Sequence, residues 1–402
     1  MKRRVDPVDS ELPLAQVPII DFISFGGIIS ITDEDQREGY KGRLFWAETG
    51  DLIYSKIRVK QGSMAVVPEG ISRVAVSAEY PVYRVCEERA DREYIELVLR
   101  TRAFLNFLDG LSHGSSSKTR IPPEAFEALK VPLPDKTIQA GIVAYWSSSQ
   151  RAVAEARREL DMVAKELNDW LFARTKVEVF ERAWLALDWA DLKRWDVKTA
   201  RAAAFRLAHP DFVPFATYAE DATKMVKPFR CPKHAWPVYG VNNKEGVFFS
   251  YTQPGAEFNA PYKRIRKDWF FHNPTRSAVG SLGHVPDVPK DAVTSPEYQV
   301  WKLRDLGADS LLPGFVAVLI RTKWFVRVIQ FHRVGAVKQR LYVENLLEMP
   351  VPRFPRELQG RIGAERDAAL IKLSDARKHA AIVRNEVEEM ILGVREVPTT
   401  SK

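Results

Sequence analysis

Across residues 138–172, Ile142, Trp146, Ser149, Val153, Ala156, Leu160, Val163, Leu167 and Trp170 alternate spacings of four and three. This is the a/d seam of a coiled coil and predicts one long amphipathic helix. The register returns over residues 358–392 at Ile362, Arg366, Ala369, Leu373, Ala376, Ala380, Val383, Val387 and Met390, each 220 residues after its counterpart. A seam of this length needs a partner, and each segment offers one to the other.

Between and before these segments the pattern changes to short β-branched and aromatic runs with turn signals between them. GGIISI, GRLFWAE, GDLIYSKIRVKQG, MAVVPEG and VAVSAEYPVYRV predict a compact, mostly β region in the first module. YIELVLRTRAFLNFLDGL, residues 94–111, has helical spacing and predicts one helix there, while residues 1–16 read as loose. VPLP at 131–134 stops this module and launches the long helix. A second module starts near RWDVKTARA, runs through WPVYGV, GVFFSYT, KRIRKDWFFHN and FVAVLIRTKWFVRVI, and also ends on a Pro-x-Pro step.

The two modules are related in detail. At an offset of 218, Arg58 matches Arg276, Gly62 and Ser63 match Gly280 and Ser281, and Pro68 matches Pro286. Glu79, Tyr80 and Val82 match Glu297, Tyr298 and Val300, and Pro132 and Pro134 match Pro350 and Pro352. LRTRAF aligns with IRTKWF after a small shift. The chain is therefore a duplicated unit, and its expected fold class is α+β: two mixed α/β domains separated by two long antiparallel coiled-coil helices. The boundaries read as 1–135 for the first domain, 136–173 for the first helix, 174–193 for a connector, 194–355 for the second domain, 356–393 for the second helix and 394–402 for a tail.

Charge adds to this picture. The formal net charge is +8, yet residues 1–135 hold 18 Lys and Arg against 21 Asp and Glu, whereas residues 193–353 hold 25 against 14. A basic internal module suggests a polyanionic partner, nucleic acid foremost, although solubility alone accounts for such an excess as well. There is no run of about 18 apolar residues, and MKRRVDPVDSELP is charged where a signal peptide is apolar, so the expectation is no membrane and a cytoplasmic location. Cys86 and Cys231 stand far apart, which fits a reducing compartment, and Cys231 with His234 is half a metal site at most. No P-loop, HExxH or adenine-methyltransferase loop is present, so the chain is expected to be non-catalytic, with no metal of its own.

Several residues suit nucleic-acid binding. Lys56, Arg58 and Lys60 sit two apart and would share one face of a strand, either tracking phosphates or blunting a solvated edge. Lys263, Arg264, Arg266 and Lys267 precede DWFFHN, joining basic to aromatic residues. Asn273 and Arg276 have the side chains suited to adenine and guanine edges. Ser115, Ser116, Lys118 and Arg120 lie in a polar loop that is either phosphate-contacting or simply a surface loop, and Arg333, Lys338, Gln339 and Arg340 fall at the corresponding place in the second module.

In its order of motifs, GDLIYSKI, GSMAVVPEG, AVSAEYPVYRV, YIELVLRTRAFLNFL, SHGSSSKTRI and VPLP before a long helix, then a weaker second set, the chain resembles the specificity subunit of type I restriction-modification systems. The resemblance covers nearly the whole chain. It implies two target-recognition domains that bind double-stranded DNA, each reading half of a bipartite site, on helices that act as a ruler for the unread spacer. Helices of 35 residues span roughly 52 Å, a little more than a turn of duplex. It also implies two modification subunits, which methylate adenine with S-adenosylmethionine, and restriction subunits that cut DNA with ATP and Mg. These cofactors belong to the partners and none to this chain.

Alignment of VPIIDF with WPVYGV leaves about 40 residues of the second domain without an equivalent, so the first domain is expected to lack its opening strand and helix. The start then lies upstream, another chain supplies the piece, or that half reads a reduced site. The rival readings are a degenerate coiled-coil scaffold that binds only proteins and a fused enzyme with an unrecognised active site. Arg366, which the register sets against Trp146, marks a polar end of the seam where a partner subunit is expected to dock.

Overall fold

The computed structural model describes residues 1–110, 120–176, 186–192, 196–335 and 337–398. It contains two compact units, Met1–Val153 with Asp375–Lys402, and Ala154–Ser374. The fold is α+β, and the cuts between units fall within the two long helices. Each unit is thus a mixed module completed by a length of both helices.

The first unit contains β1 (Lys2–Arg4), β2 (Ile20–Ile23), β3 (Ile29–Ile31), α1 (Glu34–Arg37), β4 (Leu44–Glu48), β5 (Asp51–Tyr54), β6 (Met64–Val66), β7 (Arg73–Ser77) and β8 (Val82–Arg84). α2 (Arg92–Leu99), α3 (Arg102–Gly110), α4 (Pro123–Glu127) and the start of α5 (Lys136–Phe172) follow. The second unit contains the end of α5, α6 (Val197–Ala208), β9 (Val213–Pro214), β10 (Ala219–Asp221), β11 (Met225–Val226), β12 (Ala235–Asn242), β13 (Gly246–Pro254), β14 (Tyr262–Arg264) and β15 (Phe270–His272). Then come β16 (Leu282–His284), β17 (Val293–Thr294), β18 (Gln299–Leu303), α7 (Pro313–Leu319), α8 (Lys323–His332), α9 (Val343–Leu347), β19 (Pro350–Val351) and the start of α10 (Arg356–Ile391).

Each unit is built on a four-stranded antiparallel sheet, ordered β1-β8-β5-β6 in the first and β10-β18-β15-β16 in the second. The registers repeat at the offset of 218: Lys2 pairs with Arg84 as Glu220 pairs with Lys302, Ile53 with Val82 as Phe271 with Val300, and Tyr54 with Met64 as His272 with Leu282. The second unit adds a five-stranded sheet, β11-β14-β17-β12-β13, with one parallel pairing between β12 and β17.

This corrects the expectation for the N-terminus. The opening strand is present as Lys2–Arg4, a charged sequence with no apolar alternation to reveal it. It is held by Arg4, whose guanidinium donates to Glu48 at 2.6 Å, Asp51 at 3.1 Å and Asp6 at 3.1 Å. Asp6 accepts from the Trp46 amide through its carbonyl at 2.7 Å, and the Val8 amide donates to Leu44 at 3.0 Å, so the segment expected to be loose is tied to β4. What the second unit has before its repeat is α6, which buries Phe205 in the core.

The helix expected over 94–111 is two helices. Thr101 ends the first and caps the second, donating to Val98 at 2.7 Å and accepting from the Phe104 amide at 3.2 Å. Thr322 does the same between α7 and α8, with Leu319 and Phe325.

The helix seams close the cores. In the first unit Ile142 of α5 and Val383, Val387 and Met390 of α10 share one cluster with Tyr54, Tyr94 and Leu108. In the second, Val163, Leu167, Leu358 and Ile362 share another with Trp301, Phe315 and Trp324. The helices run antiparallel: in the second unit Lys372 pairs with Glu159 at 2.7 Å and Arg361 with Glu166 at 2.5 Å. Tyr145 and Glu386 are hydrogen-bonded in the first. Antiparallel pairing removes the juxtaposition of Arg366 with Trp146 that the parallel register count gave. Arg366 instead turns into its own unit, with Nη2 3.4 Å from His284 Nδ1 and Nη1 donating to Asp367 at 2.6 Å. It is a largely buried internal contact rather than an open docking point.

Each long helix also carries a buried glutamine in its first turn. Gln139 accepts from the Asp91 amide at 2.7 Å and donates to Pro134 at 2.7 Å and Arg89 at 3.1 Å. Gln359, 220 residues later, accepts from the Leu312 amide at 3.1 Å and donates to Phe354 at 3.0 Å. Each amide satisfies backbone groups at the start of a module helix and at the entry to the long helix, where water is excluded.

Removing this latch leaves buried backbone groups unpaired. Gln359→Ala should lower stability by about 2 to 4 kcal/mol, read from denaturant unfolding, and an unchanged midpoint would contradict the latch. His272 is fully buried, donates from Nε2 to the Leu341 carbonyl as its one hydrogen bond among the described residues, and has its imidazole pushed down to about 4 by burial. The unfolded state then binds the extra proton between about pH 6.5 and 4, so stability rises with pH across that window and is lost as pH falls through it. The loss should reach about 3 kcal/mol near pH 4. His272→Tyr, which installs the residue found at the matching position 54, should flatten that part of the stability profile.

Candidate nucleic-acid interface

The duplication places one loop in both units. In the first, residues 55–63 join β5 to β6; in the second, residues 273–281 join β15 to β16. Arg58 and Arg276 each precede a 3₁₀ turn, Val59–Gln61 and Ser277–Val279. Each turn ends on a glycine in the left-handed region, Gly62 at φ 92° and Gly280 at φ 84°, which side chains rarely adopt. The Ser63 amide donates to the Arg58 carbonyl at 3.2 Å, and the Ser281 amide to the Arg276 carbonyl at 3.2 Å. The loop bases close through Ser55 to Ser63 at 2.9 Å and Asn273 to Ser281 at 3.0 Å.

A second repeated contact brings another arginine to this loop. The Ile121 amide donates to the Lys56 carbonyl at 2.9 Å, and the Leu341 amide to the Pro274 carbonyl at 3.0 Å. Below them the Tyr54 hydroxyl donates to the Ile121 carbonyl at 3.2 Å, and His272 Nε2 lies 2.9 Å from the Leu341 carbonyl. Arg120 and Arg340, the residues before Ile121 and Leu341, are thereby brought next to the loops that carry Arg58 and Arg276. Tyr80 and Tyr298 complete the likeness: burial raises both hydroxyls above their ordinary value, and the charges of Arg58 and Arg276 oppose that shift.

The remaining expected residues divide. Lys56, Arg58 and Lys60 do not share a strand face, because the chain turns at 56–58 and coils at 59–61. Arg58 is exposed, whereas Lys60 is largely covered and lies 3.5 Å from Asp109. The basic cluster at 263–267 is split, because β14 holds Lys263 and Arg264 and ends before Arg266 and Lys267. Lys263 points inward and donates to the Tyr298 carbonyl at 2.6 Å, with burial lowering its pKa. Arg264 donates to the Lys290 carbonyl at 2.8 Å, while Arg266 and Lys267 are exposed, Arg266 over the Trp269 ring at 5.7 Å. Asn273 is corrected from a base reader to a turn former: its Oδ1 accepts from the Thr275 amide at 3.1 Å, the Thr275 hydroxyl at 2.8 Å and the Arg276 amide at 3.3 Å. Lys338 is exposed. Ser115, Ser116 and Lys118 lie outside the described residues.

Arg333, expected with Lys338, Gln339 and Arg340 at the polar loop of the second module, donates to the Gln339 carbonyl at 2.8 Å and holds the segment carrying Arg340 against the module. Tyr54 and His272 were unmarked in the sequence, since their common role is hidden by different residue types.

No family model matches the chain, and no curated protein matches it significantly. Among solved structures it is similar to the HsdS subunit from Thermoanaerobacter tengcongensis, at 16% identity over 97% of this chain and 93% of that one, with a TM-score of 0.32. It is also similar to a chain from a structure of type I R-M complex assembly and conformational transition, at 16% identity over 91% and 85%, TM-score 0.35. The S subunit of the type I restriction-modification system from M. genitalium is similar at 11% identity over 99% and 93%, TM-score 0.45. Two of these solved structures, each matched over nearly the whole of this chain, are S subunits of type I restriction-modification systems.

Proposed function

We propose that this chain is the specificity subunit of a type I restriction-modification system: a non-catalytic protein that binds double-stranded DNA and directs partner subunits to a bipartite target. The observation that carries the reading is the repeated arginine-bearing loop, present once in each unit on a sheet of the same order and register. One binding device used twice suits a discontinuous site with one half per unit. In this reading two modification subunits methylate adenine using S-adenosylmethionine, and restriction subunits use ATP and Mg to cut. The chain contributes recognition and the helices to which the partners attach. Its basic excess in residues 193–353 supports attraction to a polyanion.

The acidic balance of residues 1–135 favours a second reading, a scaffold whose first module binds protein only. Nuclease footprinting of the assembled complex separates the two. The specificity reading gives two protected half-sites with an unprotected or weakly protected spacer, and affinity that falls steeply with salt as counterions are released. Protection of one half-site or none supports the scaffold. Mapping methylated adenines in the host genome with and without the gene should show a single bipartite motif that disappears with it.

A further inference from the structure

We infer that Arg58 with Arg120, and Arg276 with Arg340, each grip a backbone phosphate of the duplex rather than a base edge. The inference rests on the DNA reading above and assigns a role within it.

The fold accounts for part of what the two loops share. Gly62 and Gly280 supply the left-handed backbone, and Ser63 and Ser281 are buried at the loop closure. Ser63 Oγ donates to the Ile23 carbonyl at 2.7 Å. Among the described residues, the hydrogen bonds of Arg58 and Arg276 are made by their main chains, and any residue can offer the carbonyl that the serine amide meets. Their side chains are exposed, and among the described residues neither guanidinium donates a hydrogen bond. The arginine side chain at both places is therefore not explained by folding.

Their neighbours have diverged. Ser55, Lys56, Ile57, Val59, Lys60 and Gln61 face Asn273, Pro274, Thr275, Ser277, Ala278 and Val279. The halves of a bipartite site differ in bases and have only the sugar-phosphate backbone in common. A side chain kept in both units while its surroundings change is suited to the shared part. The second arginine strengthens this. Arg120 and Arg340 each precede the residue that is tied to the loop by the same backbone hydrogen bond in both units, which adds a second cation near the loop where a phosphate would sit. Arg120 lies 3.5 Å from Glu79, both of them partly exposed, a weak surface pairing that a phosphate can displace. Base-reading side chains then belong to positions at which the units differ.

The test uses the full chain and a pool of random-sequence duplexes, with affinity measured for the enriched duplex and for an unrelated one across a salt series. Arg58→Gln and Arg276→Gln should weaken both duplexes by the same factor and lower the slope of log affinity against log salt by about 0.9 each. The enriched sequence should stay the same. Arg58→Lys should retain most of the affinity, as a phosphate grip tolerates a point charge and a bidentate guanine contact does not. Relaxed base preference at one position, or an unchanged slope with wild-type melting, would overturn the inference and leave the DNA reading standing. A wild-type chain that enriches no duplex would overturn both.

Discussion

Neither module can bury its core without the long helices. Leu167 and Ile362 are fully buried against Phe315 and its neighbours, and Ile142 and Val383 against the Tyr54 cluster. Each helix in turn carries a seam that alone would expose several large apolar side chains. The mutual burial of seam and module is the contact on which the rest depends, at roughly 1.5 to 3 kcal/mol for each large apolar side chain removed from water. It explains why the compact units divide the helices internally instead of leaving them as free-standing linkers.

Hydrophobic burial has little directional preference, and polar contacts supply it here. The two glutamines tie the start of each long helix to a module helix through backbone groups, so rotation of a helix about its axis would strand buried donors and acceptors. Arg366 with His284, and His284 with Asp268 at 3.0 Å, add a polar chain between α10 and the β15-β16 hairpin that carries the second arginine loop. Burial and the Arg366 charge both push His284 below its ordinary imidazole value, against the opposing pull of Asp268. The hairpin and the helix are consequently fixed to each other by specific atoms as well as by apolar area.

Duplication has preserved geometry more than chemistry. Tyr54 and His272 reach equivalent carbonyls with different side chains, and β1 and β10 occupy one register with unrelated sequences. Backbone pairing tolerates such replacement because strand hydrogen bonds are made by the main chain. Positions that do persist have either a conformational reason, as with Gly62 and Gly280, or one that lies outside the folded chain, as with Arg58 and Arg276.

The sequence by itself determined the two long helices, the duplication and the repeated arginine, glycine and serine positions. Each rests on local periodicity or a fixed offset, which are properties of the chain's own order: Ile142 to Trp170, Ile362 to Met390, and Arg58 with Gly62 against Arg276 with Gly280. Tertiary structure decided whatever depended on a partner distant in sequence. β1 has no apolar pattern, and its pairing with Val82–Arg84, with Arg4 held by Glu48 and Asp51, makes a strand of Lys2–Arg4. The KRIRK cations look alike in sequence, yet Lys263 turns inward from β14 while Arg266 lies past the end of the strand and is exposed. Asn273 reads as a hydrogen-bonding side chain free for a ligand until the turn consumes its oxygen. Arg366 looked like a break in a seam because periodicity assigns a side chain to a helix face without saying which module stands against it.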